Sequence, residues 1–165
     1  KHIVFYYEKQ AMFDNVSLRT MYRAKNLLNE KGESQLDDYA MSADEMDAFV
    51  LFIRQAVYHA YDAVIKMTRG ITSQPIFIDE TIVISTIDKP NSYGFRIIDE
   101  EAYDDNKLIA VDEGIKEYLD NFIMASWYDL VGHTEEYAKW AAKRDDSKIS
   151  LITKKLFALR KPNLS

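Results

Sequence analysis

The chain has 165 residues, of which 47% are hydrophobic and 29% are charged, and its formal net charge is −6. This length suits one domain with its own core, and the composition is globular rather than disordered or fibrous. The absence of cysteine excludes disulfides, thiolate metal sites and a cysteine nucleophile. A net acidic chain lacks the basic balance typical of nucleic-acid binding, and no apolar run approaches the roughly 20 residues of a membrane helix.

Residues 1–13 are rich in aromatic side chains and are predicted to form an extended or partly helical N-terminal arm. Phe5, Tyr6, Tyr7 and Phe13 have no obvious core partner in the sequence. Residues 14–70 are predicted to be helical. A first helix is expected from Asp14 or Ser17 to Asn29, with four apolar residues near one side, namely Leu18, Met21, Tyr22 and Leu28.

The second helix has the clearest pattern in the chain. Ser42 and Glu45 have the spacing of a capping box, in which each side chain bonds the other residue's amide. After them, seven apolar residues recur at alternating steps of four and three, and they are Met46, Val50, Ile53, Val57, Ala60, Val64 and Met67. This spacing predicts a long central helix, which Gly70 is expected to end.

Between residues 76 and 99 the apolar period changes to two and β-branched residues dominate. The segment from Asp88 to Gly94 is dense in turn-forming residues. Together these features predict a β-hairpin or small antiparallel sheet.

Helical spacing returns over residues 108–160. A helix with one broad apolar side is expected before a corner at Gly132. The residues of that side are Val111, Ile115, Tyr118 or Leu119, Phe122, Ile123 and Leu130. Thr134 is predicted to cap the last helix, with Glu135 and Glu136 at its positive end, and residues 161–165 form a tail. The sequence therefore predicts a single mainly α domain of about four helices, with a β-hairpin between the second and third.

Few residues have the spacing that catalysis or cofactor binding requires. The five glycines are far apart, so no phosphate-binding glycine loop is present. The three histidines, His2, His59 and His133, do not form a zinc-binding pattern. We therefore expect neither a metal nor a cofactor, and the chain is not expected to be an enzyme.

An arginine stands five positions before a histidine on the second helix, at Arg54 and His59. This spacing resembles the Arg–x4–His motif of HEPN ribonucleases, which are also helical bundles. The resemblance implies that His59 would be a general acid or base, and that Arg54 would stabilise phosphate charge. The acidic balance of the chain disfavours an RNA substrate.

Residues 108–162 resemble small neck or head–tail connector proteins of tailed bacteriophages of Bacteroidetes, including crAss-like phages. The resemblance rests on the Tyr-Leu pair at 118–119, the Trp-Tyr pair at 127–128 and the glycine corner at Gly132. A second helix follows, and it ends in Leu-Phe-Ala-Leu-Arg-Lys-Pro at 156–162. These are packing residues rather than a catalytic signature.

The resemblance implies a structural protein of the virion, assembled in the host cytoplasm. Copies of it would form a homo-oligomeric ring that joins the portal to tail or neck subunits, with DNA passing through without sequence-specific binding and without contact to a membrane. The residues expected at contacts between subunits lie in the arm, the hairpin and the basic C-terminal segment. They are Phe5, Tyr6, Tyr7, Phe13, Pro90, Tyr93, Arg160 and Lys161. The alternative is a non-viral helical adaptor or regulatory binding module.

Overall fold

The computed structural model describes residues 2–28, 30–33, 36–67, 72–79, 82–83, 91–98 and 105–152. Its strands are β1 (His2–Glu8), β2 (Thr72–Asp79), β3 (Ile82–Val83) and β4 (Ser92–Ile98). Its helices are α1 (Lys9–Asn26), α2 (Leu36–Tyr39), α3 (Met46–Met67), α4 (Asp105–Leu130) and α5 (Thr134–Ser150). The fold is mainly helical with an antiparallel sheet, as predicted.

The sheet contains a strand from the N-terminus in addition to the predicted hairpin. Its order is β1-β4-β2-β3, and all three pairings are antiparallel. Residues 2–8 are extended and α1 begins at Lys9, which agrees with an extended or partly helical segment over residues 1–13. This segment is not a free arm, because β1 pairs with β4 along its whole length. Alternate residues of β1 reach the core, so Phe5 packs on Phe95 with ring centroids 5.5 Å apart.

The central core lies between α3 and α4, and both predicted helices are confirmed. On α3 the buried stripe includes Ile53, Val57, Ala60 and Val64. On α4, side chains from Tyr118 to Ala125 are buried without interruption, and α4 packs against α5, α3 and α1. Only the last residue of the predicted α4 stripe, Leu130, is exposed.

Helix α1 buries the face opposite to the predicted one. Its buried residues are Met12, Phe13, Val16, Thr20 and Ala24, whereas all four residues of the predicted stripe are exposed. Thr20 fits the core because its hydroxyl donates to the Ser17 carbonyl and accepts from the Met41 amide, each over 2.9 Å. The prediction failed because α1 carries apolar residues on two sides, and spacing alone does not tell which side faces the core.

Two predicted helix caps differ from the observed ones. Ser42 precedes a 3₁₀ turn (Ala43–Glu45), and its side chain makes no capping bond, because its own carbonyl accepts the Glu45 amide over 3.0 Å. The last helix is capped by His133 rather than Thr134, with Nδ1 accepting from the Glu136 amide over 3.2 Å. Gly132 has φ +76°, the conformation expected of a glycine after a helix end.

The predicted hairpin is confirmed in its strands, while its turn differs. Ser92, Tyr93 and Gly94 belong to β4 rather than to the predicted turn over 88–94, because they pair with β1 on one side and β2 on the other. Residues 84–90 lie outside the described residues. So do Gly70, the predicted end of the second helix, and residues 153–165, which include the predicted end of the last helix and the tail.

Candidate interaction surfaces

A trough of about 610 Å³ runs along the free edge of the sheet. One wall is strand β1 from Val4 to Glu8, and the other is the first half of α4, including Ile109. The Tyr7 hydroxyl closes the base of the trough by donating to Oδ1 of Asp112 over 2.9 Å. Burial, and to a smaller extent the Asp112 carboxylate, raise the pKa of Tyr7, so this hydroxyl remains protonated and keeps its role as donor.

The main chain of β1 presents half of its polar groups to this trough. Lys9 and Asn91 are opposite each other in the β1–β4 register, and the Lys9 amide donates to the Asn91 carbonyl over 2.8 Å. Because hydrogen-bonded pairs alternate along an antiparallel ladder, odd-numbered residues of β1 bond β4. The amides and carbonyls of Val4, Tyr6 and Glu8 therefore point to the free edge.

The most exposed side chains around this edge are apolar, although Glu8, Asp112 and Lys116 also line it, and residues 2–7 of β1 lack the usual protection against strand pairing. Tyr6 is 60% exposed and Ile109 is 68% exposed, and Val4 is also exposed. Free edges are normally blunted by proline, lysine or a bulge. Residues 2–7 contain neither of those residue types, and their register with β4 has no bulge. We call this region, formed by β1 and residues 108–116 of α4, the edge trough.

A second exposed apolar surface lies on α1. Leu18 is two positions from both Val16 and Thr20, and two positions correspond to roughly 200° around a helix, so Leu18 points away from the core. Met21 and Tyr22 lie beside it, and Tyr22 is 62% exposed. Leu28, just after the helix, is exposed as well. We call these four residues the α1 outer face.

A buried ion pair fixes α1 beneath this face. Glu136, at the start of α5, is almost fully buried, and both of its oxygens are bonded by the guanidinium of Arg23 on α1, with Nε donating to Oε2 over 3.2 Å. Trp140 Nε1 also donates to Oε2, and Lys139 Nζ donates to Oε1. Burial by itself would raise the pKa of Glu136, but the bonds from Arg23 and Lys139 outweigh it and lower the pKa.

A second buried carboxylate, Asp120, lies where α1 meets α4. Asp120 Oδ2 accepts weakly from Asn15 Nδ2 over 3.4 Å, and Oδ1 has no hydrogen-bond partner among the described residues. Burial raises the pKa of Asp120 although Arg19 and Lys116 oppose the shift. Oδ1 is closed off by packing, and we regard this carboxyl as a structural group that decreases stability rather than as a site for a ligand.

The two residues of the HEPN-like spacing face different parts of the molecule. The ring of His59 packs against Phe122 of α4, with centroids 5.2 Å apart. Arg54 acts electrostatically on Tyr93 of β4. Five positions correspond to roughly 140° around a helix, which explains the divergence. Among the described contacts, nothing brings the two side chains to a common point.

Most of the predicted contact residues are used inside the fold. Phe5, Tyr7, Phe13 and Tyr93 are buried in the core, where β1, α1 and β4 meet, so they are not open to a neighbouring subunit as the sequence suggested. Tyr6 is the one predicted contact residue that the described structure places on the surface. Pro90, Arg160 and Lys161 lie outside the described residues.

The α1 outer face and the edge trough were both missed by the sequence analysis. A signal was present for α1, since it carries apolar residues on two sides. The trough depends on a pairing between residues about 90 positions apart, for which the local sequence has no signal.

No group of histidine or acidic side chains suited to a metal ion occurs within the described parts of the chain. The helices that could be searched include none that is both long and apolar enough to cross a membrane. No protein-family model, curated protein or solved structure matches the chain.

Proposed function

We propose that this protein is a structural subunit of a tailed-phage virion, and that its copies form a ring in the neck between portal and tail. The observation that carries the proposal is the presence of two separate exposed apolar surfaces, the edge trough and the α1 outer face, on one small chain. The resemblance of residues 108–162 to phage neck proteins supplies the biological setting.

Two different surfaces suit a ring subunit better than a single groove would. A ring is closed by heterologous contacts, in which one surface of each subunit meets a different surface of the next. Subunits of a neck must in addition contact the proteins above and below them. In this proposal the edge trough receives a neighbouring copy, and the α1 outer face meets another virion protein.

The placement of the α1 outer face favours a contact that must stay rigid. Arg23 lies on the same helix and is bonded to both oxygens of Glu136, so a load on α1 is transmitted to α5. The indole of Trp127 on α4 donates to the Tyr39 carbonyl over 2.7 Å and fixes α2 in a similar way. A helix held by such buried bonds can present apolar side chains without bending.

The net charge of −6 is compatible with a channel through which DNA passes. Acidic surfaces repel phosphate, so the genome would slide rather than bind. The expected result in a gel-shift assay is that the protein does not retain duplex DNA at physiological salt.

Electron microscopy of the purified protein tests the proposal directly. Negatively stained particles are expected to be rings with a central channel, either from the protein alone or after mixing with the portal and tail proteins of the same virus. Particles that are compact and channel-free under both conditions would contradict the ring. A matched sample of Leu18→Asp is expected to keep rings of the protein alone and to lose attachment to the portal or tail partner.

A further inference from the structure

We propose that neighbouring copies join by continuing the sheet, with the β3 edge of one copy entering the edge trough of the next. This inference rests on the proposed function, because it names the contact by which the ring closes.

The number of strands in the described sheet fits a cyclic assembly. In the order β1-β4-β2-β3 with all pairings antiparallel, the two outer strands, β1 and β3, run in opposite directions. Rotation about a ring axis keeps every copy of a strand running the same way along that axis. A β3 strand placed beside the next copy's β1 is then antiparallel to it, like every other pairing in the sheet. An odd number of strands would not allow this.

The main-chain groups at the two edges also match. Alternation along β1 places the amides and carbonyls of its even-numbered residues at the free edge. The same alternation applies to the next two pairings. Even-numbered residues of β2 bond β4, so Asp79 of β2 and Ile82 of β3 form a hydrogen-bonded pair. The amide and carbonyl of Val83 therefore face outward. Val83 of one copy can therefore form a bonded pair with Val4 or Tyr6 of the next copy.

The shapes of the edges favour this contact over pairing between two β1 strands. The edge trough has a helical wall, the first half of α4, so there is room beside β1 for a strand. Among the described strands β3 is the last of the sheet, and its principal described contacts are with β2, so its outer edge can enter a groove. Two β1 strands that face each other would be related by a twofold axis. The two copies of α4 would then approach that axis and compete for the same space.

The apolar side chains at the trough explain what the contact would bury. Ile109 and Tyr6 are the most exposed of them, and both border the strand position that β3 would occupy. Strand addition combines main-chain bonds with contacts from alternate side chains, and apolar surface removed from water stabilises the pairing.

Cysteine cross-linking tests the contact, because the chain has no cysteine of its own. Following the register across the sheet, Val83 belongs to the row that contains Ile78, Ser92 and Glu8. Because residues alternate between the two faces of a strand, Glu8 and therefore this row lie on the same face of the sheet as Val4 and Tyr6. The test variants are Val4→Cys with Val83→Cys and Tyr6→Cys with Val83→Cys, and the matched control pairs Val4→Cys with Ile82→Cys, which belongs to the adjacent row.

The proposal predicts that at least one test variant gives a ladder of disulfide-linked species extending beyond the dimer. The control variant and each single-cysteine variant are expected to give no ladder. Strong dimer formation by Val4→Cys or Tyr6→Cys alone would overturn the proposal in favour of pairing between two β1 strands. An equal ladder from the control would overturn it as well.

The wild-type mass separates a failure of this contact from a failure of the proposed function. If the unmodified protein forms large oligomers and no test variant links, the ring remains and the sheet contact is wrong. If the unmodified protein is monomeric alone and with its portal and tail partners, and no variant links, both are wrong.

Discussion

The hydroxyl of Tyr7 donates to Oδ1 of Asp112 over 2.9 Å, joining residues that are 105 positions apart in the chain. This bond ties the first strand to the fourth helix and forms the base of the edge trough. The surface that we assign to a neighbouring subunit therefore depends on the folding of the whole chain, since its two walls come from opposite halves of the sequence.

The contribution of the Tyr7 hydroxyl to stability can be compared with that of a second buried tyrosine, Tyr128. Tyr7→Phe removes the bond to Asp112 and is expected to lower the free energy of unfolding by about 1 kcal/mol. The hydroxyl of Tyr128 has no partner among the described residues, so Tyr128→Phe is expected to be neutral or slightly stabilising. Chemical denaturation of both variants measures the difference. A larger loss for Tyr128→Phe than for Tyr7→Phe would show that these assignments are wrong.

The Arg23–Glu136 pair is expected to be worth more than the neighbouring pair of Lys139 with the same carboxylate. Arg23→Met leaves a buried carboxylate with fewer donors, and a loss of about 1–3 kcal/mol in the free energy of unfolding follows. Lys139→Met removes an exposed cation, and its loss is expected to stay below about 1 kcal/mol. Thermal or urea unfolding at neutral pH measures both, and equal losses would contradict the structure.

The same pair gives a pH dependence with a defined sign. Bonding by Arg23 and Lys139 places the folded pKa of Glu136 below its unfolded value, despite burial. The stability that this carboxylate contributes is therefore present above the unfolded pKa, about 4.3, and is lost as the pH falls through the lower folded value. The stability difference between wild type and Arg23→Met should shrink over that acidic range. A difference that grows in acid would contradict the assignment.

Asp120 is expected to show the opposite trend. Its folded pKa is raised, chiefly by burial, so the folded protein holds a proton more tightly than the unfolded chain does. Protonation then favours folding as the pH falls from above the folded pKa to the unfolded value of about 3.9. The stability of wild type relative to Asp120→Asn should therefore rise between neutral pH and pH about 4. Unfolding curves of both proteins at several pH values measure this difference. A fall in the relative stability of wild type between neutral pH and pH about 4 would contradict the prediction.

Gly94 is the position in the sheet where a side chain is least tolerable. A Cβ there would lie 1.9 Å from the Phe5 carbonyl oxygen and 2.7 Å from the Tyr6 Cα, both of which are backbone atoms. Gly94→Ala must push β1 away from β4, and we expect a loss of about 1–3 kcal/mol or more in unfolding free energy. Gly132→Ala is the comparison, because a Cβ at Gly132 would meet no atom within 4 Å while the residue has positive φ. Its loss of stability therefore measures backbone strain without a steric clash. Similar hydrogen exchange of the β1 amides in wild type and Gly94→Ala would contradict the close approach.

The parts of the fold that sequence reasoning predicted well are those in which one face of a helix is apolar. On α3, the spacing of Ile53, Val57 and Val64 leaves one possible core side, and the structure uses it. On α1 there were two candidate sides. The spacing of Leu18, Met21 and Tyr22 is that of a core stripe, so it predicts the side that the structure leaves exposed. Which side is buried depends on α3 and α4, and the local sequence does not contain that information.

The candidate site could be predicted less well than the fold. The aromatic residues at 5–7 were recognised as unusual, but their separation into buried Phe5 and Tyr7 and exposed Tyr6 follows from pairing with β4. Removing residues 1–13 would therefore delete a strand and part of the core, and loss of assembly would not identify an interface. A single exposed substitution is the sharper test.

The most direct test of the central claim is the molar mass of the protein in solution over a range of concentrations, by light scattering after size exclusion. We predict that wild type reaches a closed oligomer of constant mass. Tyr6→Asp, at the edge trough, should remain monomeric, while Tyr58→Asp, a control at an exposed tyrosine of α3, should assemble like wild type. A wild type that stays monomeric at every concentration, both alone and mixed with the portal and tail proteins, or equal behaviour of the two variants, would contradict assembly through the edge trough.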